Sequence, residues 1–317
     1  MALAGSPGSA LRDLLLAMRP QQWIKNVFVF AALAFAGRLA DPRSVVLALA
    51  AFAAFCALSG AVYIINDLAD APQDRLHPVK RNRPIAAGRI GRGAAGATAA
   101  AAMAAGLALC VCVGAPNLPL LAVGAAYVAL HLVYTFWARG YMLVDVIAIA
   151  LGFVLRAVAG GLAIDVPVSR WLLACTFALC MFLAFAKRRC EISQLGGPGN
   201  AAAHRTPLGG YSLPLLDQFL GVSAGIAIVS YLLYTMQPGI SPLLLASTPL
   251  VVYCIFRIAA LVVAGGADDP TAAMLRDPAF LLAFGSWCCY SAAVVTWDAQ
   301  IQGFLLGVWA GLGGGAP

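Results

Sequence analysis

Residues 66–88 read NDLADAPQDRLHPVKRNRPIAAG and place both signs of charge on one short stretch. The polar side chains of its first part are Asn66, Asp67, Asp70 and Asp74. Three of the four are spaced four apart, so a helix would stack them on one face, with Asp67 beside them. Grouped carboxylates repel each other unless a cation joins them, and Mg²⁺ prefers oxygen ligands together with substrate phosphates. The pattern therefore predicts a magnesium site; Pro72 is expected to end the helix and leave Asp74 on a turn.

The second part of the stretch supplies donors for phosphate oxygens. Lys80, Arg81 and Arg83 offer point and forked cationic donors, which suit phosphate groups. His77 could contact a diphosphate, although a histidine beside a proline could equally serve only to shape the turn. Another interpretation is a solvated interfacial loop whose basic residues are topology signals. The order of acids, His-Pro and then bases favours the binding site.

The rest of the chain is mostly apolar and must position this stretch at a membrane. Of the 317 residues, 62% are hydrophobic and 10% are charged, whereas soluble domains carry about 25% charged residues. This composition excludes an ordinary soluble enzyme. The net charge of +7 comes from cations that flank apolar segments. Orientation signals and anionic substrates are therefore better interpretations than nucleic acid binding.

Long apolar runs predict an all-α, polytopic membrane helix bundle of about nine transmembrane helices. The runs are continuous rather than alternating, which argues against strands. The predicted spans are 23–40, 45–66, 94–115, 118–138, 141–163, 170–187, 214–236, 241–265 and 278–297. A shorter apolar stretch at 301–312 would either extend the last span or lie on the surface.

The distribution of lysine and arginine predicts the orientation. With the N-terminal segment 1–22 inside, the inside connections hold 15 of these residues and the outside connections hold 3. The positive-inside rule therefore places the opening stretch in the cytoplasm. The long inside connections, 67–93 and 188–213, lie four helices apart. They suggest two four-helix halves and a final helix within a single transmembrane catalytic domain, 23–313.

A second basic run follows the sixth predicted span. It reads Lys187, Arg188, Arg189, Cys190, Glu191, and the next aspartate is Asp217. Three cations and one carboxylate suggest direct binding of a phosphate group, so Lys187, Arg188, Arg189 and Glu191 are candidate substrate-binding residues. A plain positive-inside anchor is the alternative.

Other polar residues lie in or near the predicted spans. Arg156 lies about halfway along the fifth span, where an arginine is costly and functional by default. Its expected partner is Asp145 or a substrate phosphate, and a purely structural ion pair is the alternative. Lys25 could touch a phosphate or snorkel to head groups. Tyr134, close to Arg139, could orient a sugar or phosphate or belong to an interfacial aromatic belt.

Residues 66–74 resemble the first aspartate-rich motif, NDxxDxxxD, of the UbiA superfamily of membrane prenyltransferases. The continuation HPVKRNRPIAAG is more similar to one branch, the decaprenyl-phosphate phosphoribosyltransferases of cell-wall arabinan synthesis. RPQQWIKN (19–26), LVDVIAIALGFVLRAVAGGLAI (143–164) and FLAFAKRRCEI (182–192) resemble the N-terminal signature, fifth helix and third polar motif of that branch. One departure from the superfamily matters. Its usual second motif, DxxxD after the sixth helix, is replaced here by the basic run at 187–189.

The resemblance implies a multi-pass bacterial cell-membrane enzyme with its active site facing the cytoplasm. It would use Mg²⁺ to transfer phosphoribose from phosphoribosyl pyrophosphate to a polyprenyl phosphate such as decaprenyl phosphate, releasing pyrophosphate. The expected catalytic residues are Asp67, Asp70, Asp74 and Arg83, and one metal loop with further basic loops suits a donor that has two anionic ends. A homo-oligomer is compatible with the sequence.

Two other functions remain open at the level of the sequence. An aromatic prenyltransferase would use a prenyl diphosphate, but this chain lacks the second aspartate-rich motif of that group. A transporter of an anionic lipid or sugar phosphate would need polar residues on both faces. The nearly uncharged outside connections argue against transport.

Overall fold

The computed structural model describes residues 7–113, 118–194, 210–264 and 269–311. Within these ranges the chain is helical and has no strand, which confirms the predicted all-α fold. The elements are α1 (Pro7–Ala17), a 3₁₀ helix (Pro20–Phe30), α2 (Ala31–Phe35), α3 (Pro42–Leu76), α4 (Arg92–Val113), α5 (Leu118–Phe136), α6 (Val144–Ala163), α7 (Arg170–Gln194), α8 (Leu213–Thr235), α9 (Thr248–Val263, preceded by the 3₁₀ turn Pro242–Ser247), α10 (Pro270–Arg276) and α11 (Pro278–Gly311).

Eight helices in the described residues are long and apolar enough to cross a membrane, close to the nine expected. The difference lies in the first predicted span, 23–40. Here the chain forms the 3₁₀ helix Pro20–Phe30 and then only five residues of α-helix. The backbone of this segment approaches α6 closely, since a Cβ added to Gly160 would lie 1.8 Å from the Val29 carbonyl oxygen.

Helix α3 does not end at Pro72, as the sequence had suggested. It runs for 35 residues with Pro72 inside it and ends at Leu76. At about 1.5 Å per residue it is roughly 52 Å long, so it extends well beyond a hydrocarbon core of about 30 Å. His77, which follows, is extended (φ −86°, ψ 132°) because the residue before a proline avoids the helical region, and Pro78 comes next.

The apolar stretch at 301–312 continues the last helix. Helix α11 reaches Gly311 across a kink at Trp297, whose backbone is not helical (φ −122°, ψ 27°). Most of the long inside connection expected at 188–213 lies outside the described residues. Its first seven residues, up to Gln194, belong to α7.

The chain divides into two compact units. Unit 1 contains the described residues up to Leu33, with Arg38–Arg139 and Leu151–Val168. Its core includes Phe55 and Leu58 of α3, and a Cβ added to Gly106 of α4 would meet Leu58 at 2.7 Å, so small residues allow close packing.

Unit 2 contains Ala34–Gly37, Gly140–Ala150 and the described residues from Ser169 onward. Its core is built mainly by α7, α8 and α9. The large fully buried side chains there include Phe182, Leu216 and Leu244.

Candidate active site

The acidic residues expected to hold a metal lie on the last three turns of α3. Asp67 and Asp74 are buried, with side-chain exposures of 3% and 5%, and Asp70 is partly exposed. The Arg83 Nη1 atom donates to Asp67 Oδ1 at 3.2 Å and to Asp74 Oδ2 at 2.7 Å. Two carboxylate oxygens from successive parts of α3 therefore converge on a single cationic nitrogen.

Each of the three aspartates has an arginine partner within unit 1. Asp67 Oδ1 also accepts a hydrogen bond from Arg19 Nη2, and Asp70 Oδ1 accepts one from Arg139 Nη1 at 2.6 Å. Arg139 belongs to the short 3₁₀ helix Ala138–Gly140 that follows α5. Buried carboxylates need such partners because an uncompensated charge away from water is costly. The cluster thus balances three negative charges with three positive charges.

Arg19 is a residue of this cluster that the sequence indicated only as the start of RPQQWIKN (19–26), without a role in the site. It precedes the 3₁₀ helix in a left-handed backbone conformation (φ 54°, ψ 64°), which is uncommon for a residue other than glycine. Its guanidinium also lies over the Tyr63 ring, 5.2 Å from the ring centroid. Arg19 and Asp67 are separated by 48 residues, and no local spacing rule connects them.

The loop after α3 carries the basic residues that are available to a ligand. Lys80 and Arg81 are exposed, and their side chains contact no acidic group among the residues described. His77 Nδ1 accepts hydrogen bonds from the backbone amides of Val79 at 3.1 Å and Lys80 at 3.2 Å. These bonds give His77 a role in shaping the turn, and its contact with a diphosphate stays a prediction.

The donor set at the end of α3 fits magnesium in part. The described residues contain no group of three or more His, Cys, Asp or Glu side chains that could hold a metal ion. The four predicted ligands therefore do not surround one metal position in this structure, and Asp70 contacts Arg139. Asp67 and Asp74 do converge on one cation, and Mg²⁺ commonly uses one or two carboxylates plus substrate phosphates. Asn66 is half-buried next to Asp67, and its role as a ligand stays a prediction.

Arg156 is buried within unit 1, where neutral groups surround it. Its Nε donates to Asn26 Oδ1 at 2.7 Å, its Nη2 to the Tyr127 hydroxyl at 2.6 Å, and its Nη1 to the Gly152 carbonyl at 2.9 Å. The expected ion pair with Asp145 is wrong, since Asp145 accepts from Arg188 at 3.0 Å. Arg156 therefore links the 3₁₀ segment, α5 and α6 through Asn26 and Tyr127, two residues that the sequence did not indicate.

The basic run at the end of α7 is largely engaged with carboxylates of unit 2. Arg188 is 5% exposed and donates to Glu191 at 2.6 Å and to Asp145. Arg189 is 9% exposed and donates to Asp217 at 2.5 Å. These contacts give the two arginines acidic partners within unit 2, and their contact with a substrate phosphate stays a prediction. Separating a buried guanidinium from its acidic partner is costly because it leaves an uncompensated buried charge.

The same network reaches the segment before α8. The Tyr211 hydroxyl accepts from the Leu143 amide at 2.9 Å and interacts with Asp145, and burial raises the pKa of Tyr211. Leu143 has a positive φ of 68°, so this network holds the start of α6 in an uncommon conformation. Lys187 differs from its neighbours, since it is 54% exposed and lies 3.8 Å from Asp269.

Two further expected substrate-binding residues lie in unit 1. Lys25 is exposed on the 3₁₀ helix, and Tyr134 is half-buried near the end of α5. Their substrate contacts stay predictions.

Comparison with known proteins agrees with this fold. A protein of Mycolicibacterium smegmatis named decaprenyl-phosphate phosphoribosyltransferase is 35% identical over 240 residues, which cover 74% of this chain and 73% of that protein. A protein of the same name from Mycobacterium tuberculosis (strain H37Rv) is 32% identical over 299 residues, 91% of this chain and 96% of the relative.

A solved structure gives the same architecture. The UbiA homologue from Archaeoglobus fulgidus bound to GPP and Mg²⁺ superposes with a TM-score of 0.67, covering 90% of this chain and 99% of that one, at 19% identity. The sequence model of the UbiA prenyltransferase family matches residues 26–284. This chain belongs to the UbiA prenyltransferase family and is an integral membrane enzyme.

Proposed function

We propose that this enzyme transfers the 5-phosphoribosyl group of phosphoribosyl pyrophosphate to a polyprenyl phosphate and releases pyrophosphate. The observation that carries the proposal is the convergence of Asp67 and Asp74 on one cation position, beside the exposed Lys80 and Arg81. This arrangement suits a metal-bound diphosphate. The donor and acceptor are inferred from the relatives, which are named decaprenyl-phosphate phosphoribosyltransferase at 32–35% identity.

Asp67 and Asp74 would hold Mg²⁺, with Asn66 and Asp70 as further candidate ligands. Bound there, the ion would act as a Lewis acid that stabilises the charge developing on the pyrophosphate leaving group. The protein's own basic side chains would bind the rest of the diphosphate. Lys80 and Arg81 would bind outer oxygens of the diphosphate, since they have no acidic partner in the described residues that they would have to leave.

The nucleophile is the phosphate of the acceptor lipid. A phosphate monoester with a second pKa of about 6 is largely ionised at neutral pH, so no dedicated general base is required. The side chains would therefore act by positioning the two substrates and by electrostatic stabilisation. The apolar part of the lipid would lie among the membrane helices, and the excess of Lys and Arg in the expected inside connections supports a cytoplasmic location for the reaction.

A second candidate function follows from the family itself. UbiA prenyltransferases as a group are named for prenyl transfer, so a prenyl diphosphate with an aromatic acceptor is the alternative donor and acceptor pair. The departure at 187–189 weighs against it. In this structure two of those residues are guanidiniums paired with Asp145, Glu191 and Asp217.

Release of pyrophosphate by the purified protein tests the proposal. The full reaction contains phosphoribosyl pyrophosphate, decaprenyl phosphate and Mg²⁺, and matched reactions omit the lipid or the metal. Asp67→Asn and Asp74→Asn should each abolish most of the release. Asp13→Asn is the control, because Asp13 pairs with Arg89 at 3.0 Å and not with this cluster. Release only from geranyl diphosphate with an aromatic acceptor would favour the second candidate.

A further inference from the structure

We propose that Arg19 couples metal binding to donor binding. In the absence of donor its guanidinium binds Asp67, and when the donor binds, the guanidinium moves to a diphosphate oxygen and Asp67 becomes available to the metal. In this way Arg19 would keep the metal from binding tightly on its own. The inference rests on the proposed function, because it assumes that Asp67 is a metal ligand. It assigns Arg19, the first residue of the motif RPQQWIKN (19–26), the role of a positioning residue.

The first argument is the crowding of positive charge on one oxygen. Arg19 Nη2 and Arg83 Nη1 both donate to Asp67 Oδ1, and the carboxylate is only 3% exposed. A divalent cation at Asp67 must either displace a guanidinium or share one negative charge with two of them. Like charges at such short range repel strongly where water is scarce.

The second argument is the charge balance of the cluster. Its three aspartates are matched by Arg19, Arg83 and Arg139. A metal ion alone would make the cluster strongly positive. A metal ion with a diphosphate adds no net positive charge, so every guanidinium can keep an anionic partner. Metal and diphosphate should therefore bind more tightly together than apart, and the coupling must be equal in both directions.

The third argument is that Arg19 is placed to change partners. Its side chain is 25% exposed, so its guanidinium can reach a ligand from its present position. The guanidinium already lies over the Tyr63 ring, with its carbon 5.2 Å from the ring centroid, and this contact does not depend on the Asp67 carboxylate. Its left-handed backbone conformation is the kind of strain that is found at functional sites.

Glycine at position 19 gives a variant that should fold, since glycine adopts this backbone conformation without strain. Mn²⁺ serves as the probe, and its binding to the purified protein is followed by electron paramagnetic resonance without any donor. We expect Arg19→Gly to bind Mn²⁺ about tenfold more tightly than the native protein, because one competing cation is gone. Arg19→Lys should lie between the two. Arg12→Gln is the matched control. Arg12 is exposed on α1, so this substitution removes a cation that does not contact Asp67.

The same variant, Arg19→Gly, should weaken the binding of the donor phosphoribosyl pyrophosphate. At saturating Mg²⁺ the KM for phosphoribosyl pyrophosphate should rise about tenfold in Arg19→Gly, with partial rescue in Arg19→Lys. These opposite shifts distinguish coupling from a structural role, which would weaken metal and donor binding together and lower the Tm. Unchanged or weaker Mn²⁺ binding in Arg19→Gly would overturn the inference. If, with phosphoribosyl pyrophosphate present, the native protein binds Mn²⁺ no more tightly than Asp67→Asn does, the metal site of the proposed function fails instead.

Discussion

Replacing Arg188 with methionine should destabilise the protein because it removes a buried cation that lies against the buried carboxylate of Asp145. The two side chains are 5% and 0% exposed and their atoms are 3.0 Å apart. Methionine keeps much of the length and packing of the arginine stem. The Tyr211 hydroxyl remains near Asp145 and offsets part of the loss.

The size of the effect follows from the geometry. Two unit charges about 4 Å apart interact by about 4 kcal/mol at an effective dielectric constant of about 20. Breaking a buried pair by removing one partner typically costs about 3–5 kcal/mol. A loss of this size lowers Tm by roughly 10 °C in a cooperative unit of about 200 residues.

The assay compares thermal unfolding in detergent with the donor KM for three variants. Arg188→Met should show the large fall in Tm. The double variant with Asp145→Asn should recover part of it, because both charges of the buried pair are then removed together. Lys187→Gln is the control, since an exposed side chain 3.8 Å from Asp269 contributes about 0–1 kcal/mol.

One outcome would refute this reasoning. If Arg188→Met unfolds like the native protein and only its KM for phosphoribosyl pyrophosphate rises, Arg188 meets a substrate phosphate, as its place in the basic run first suggested. The contact with Asp145 would then be dispensable for stability.

Two further predictions concern packing and pH. Gly160→Ala should destabilise the protein by about 1–3 kcal/mol in thermal unfolding, because its Cβ would lie 1.8 Å from the Val29 carbonyl oxygen. Gly96→Ala meets nothing within 4 Å and should leave Tm unchanged or slightly higher; equal effects would contradict the packing argument. The hydrogen bond from Arg257 lowers the pKa of Asp277 below its ordinary value of 3.8. Its contribution to stability is therefore present above about pH 4 and is lost as the pH falls through the lower folded value. The Tm gap between the native protein and Asp277→Asn should narrow on acidification, and a constant gap would show that the carboxylate contributes nothing.

The parts of the site that the sequence predicted are those set by local spacing. Asp67, Asp70 and Asp74 share one helix, so their common face follows from helical periodicity. Arg83 was expected to bind phosphate oxygens, and its contact with Asp74, 9 residues away along the chain, was not predicted. The apolar runs likewise indicated the long helices, because a bilayer requires about 20 apolar residues per crossing.

The parts that the sequence did not predict depend on contacts between distant segments. Arg139 reaches Asp70 across 69 residues and Arg188 reaches Asp145 across 43, and a single sequence carries no periodic signal for such pairs. Pro72 was expected to end α3, but the helix continues past it despite the lost hydrogen bond and the ring clash, with Asp74 bound by Arg83. The helix ends before His77, the residue that precedes Pro78.

The segment 23–40 was misjudged for a related reason. Its composition satisfies a transmembrane helix, whereas its backbone forms a 3₁₀ helix up to Phe30. The close approach of Val29 to Gly160 and the hydrogen bond from Arg156 to Asn26 are tertiary interactions. Hydropathy reports only how apolar a segment is, and it gives no information on the tertiary contacts that determine its backbone conformation.

The most direct test of the proposed activity is to follow the ribose itself. Purified protein in detergent is given phosphoribosyl pyrophosphate labelled in the ribose ring, decaprenyl phosphate and Mg²⁺, and the organic phase is extracted. We predict labelled lipid that requires both the acceptor and the metal and is lost in Asp67→Asn. An organic phase without label, from a folded protein that prenylates an aromatic acceptor in a parallel reaction, would contradict the proposed transfer.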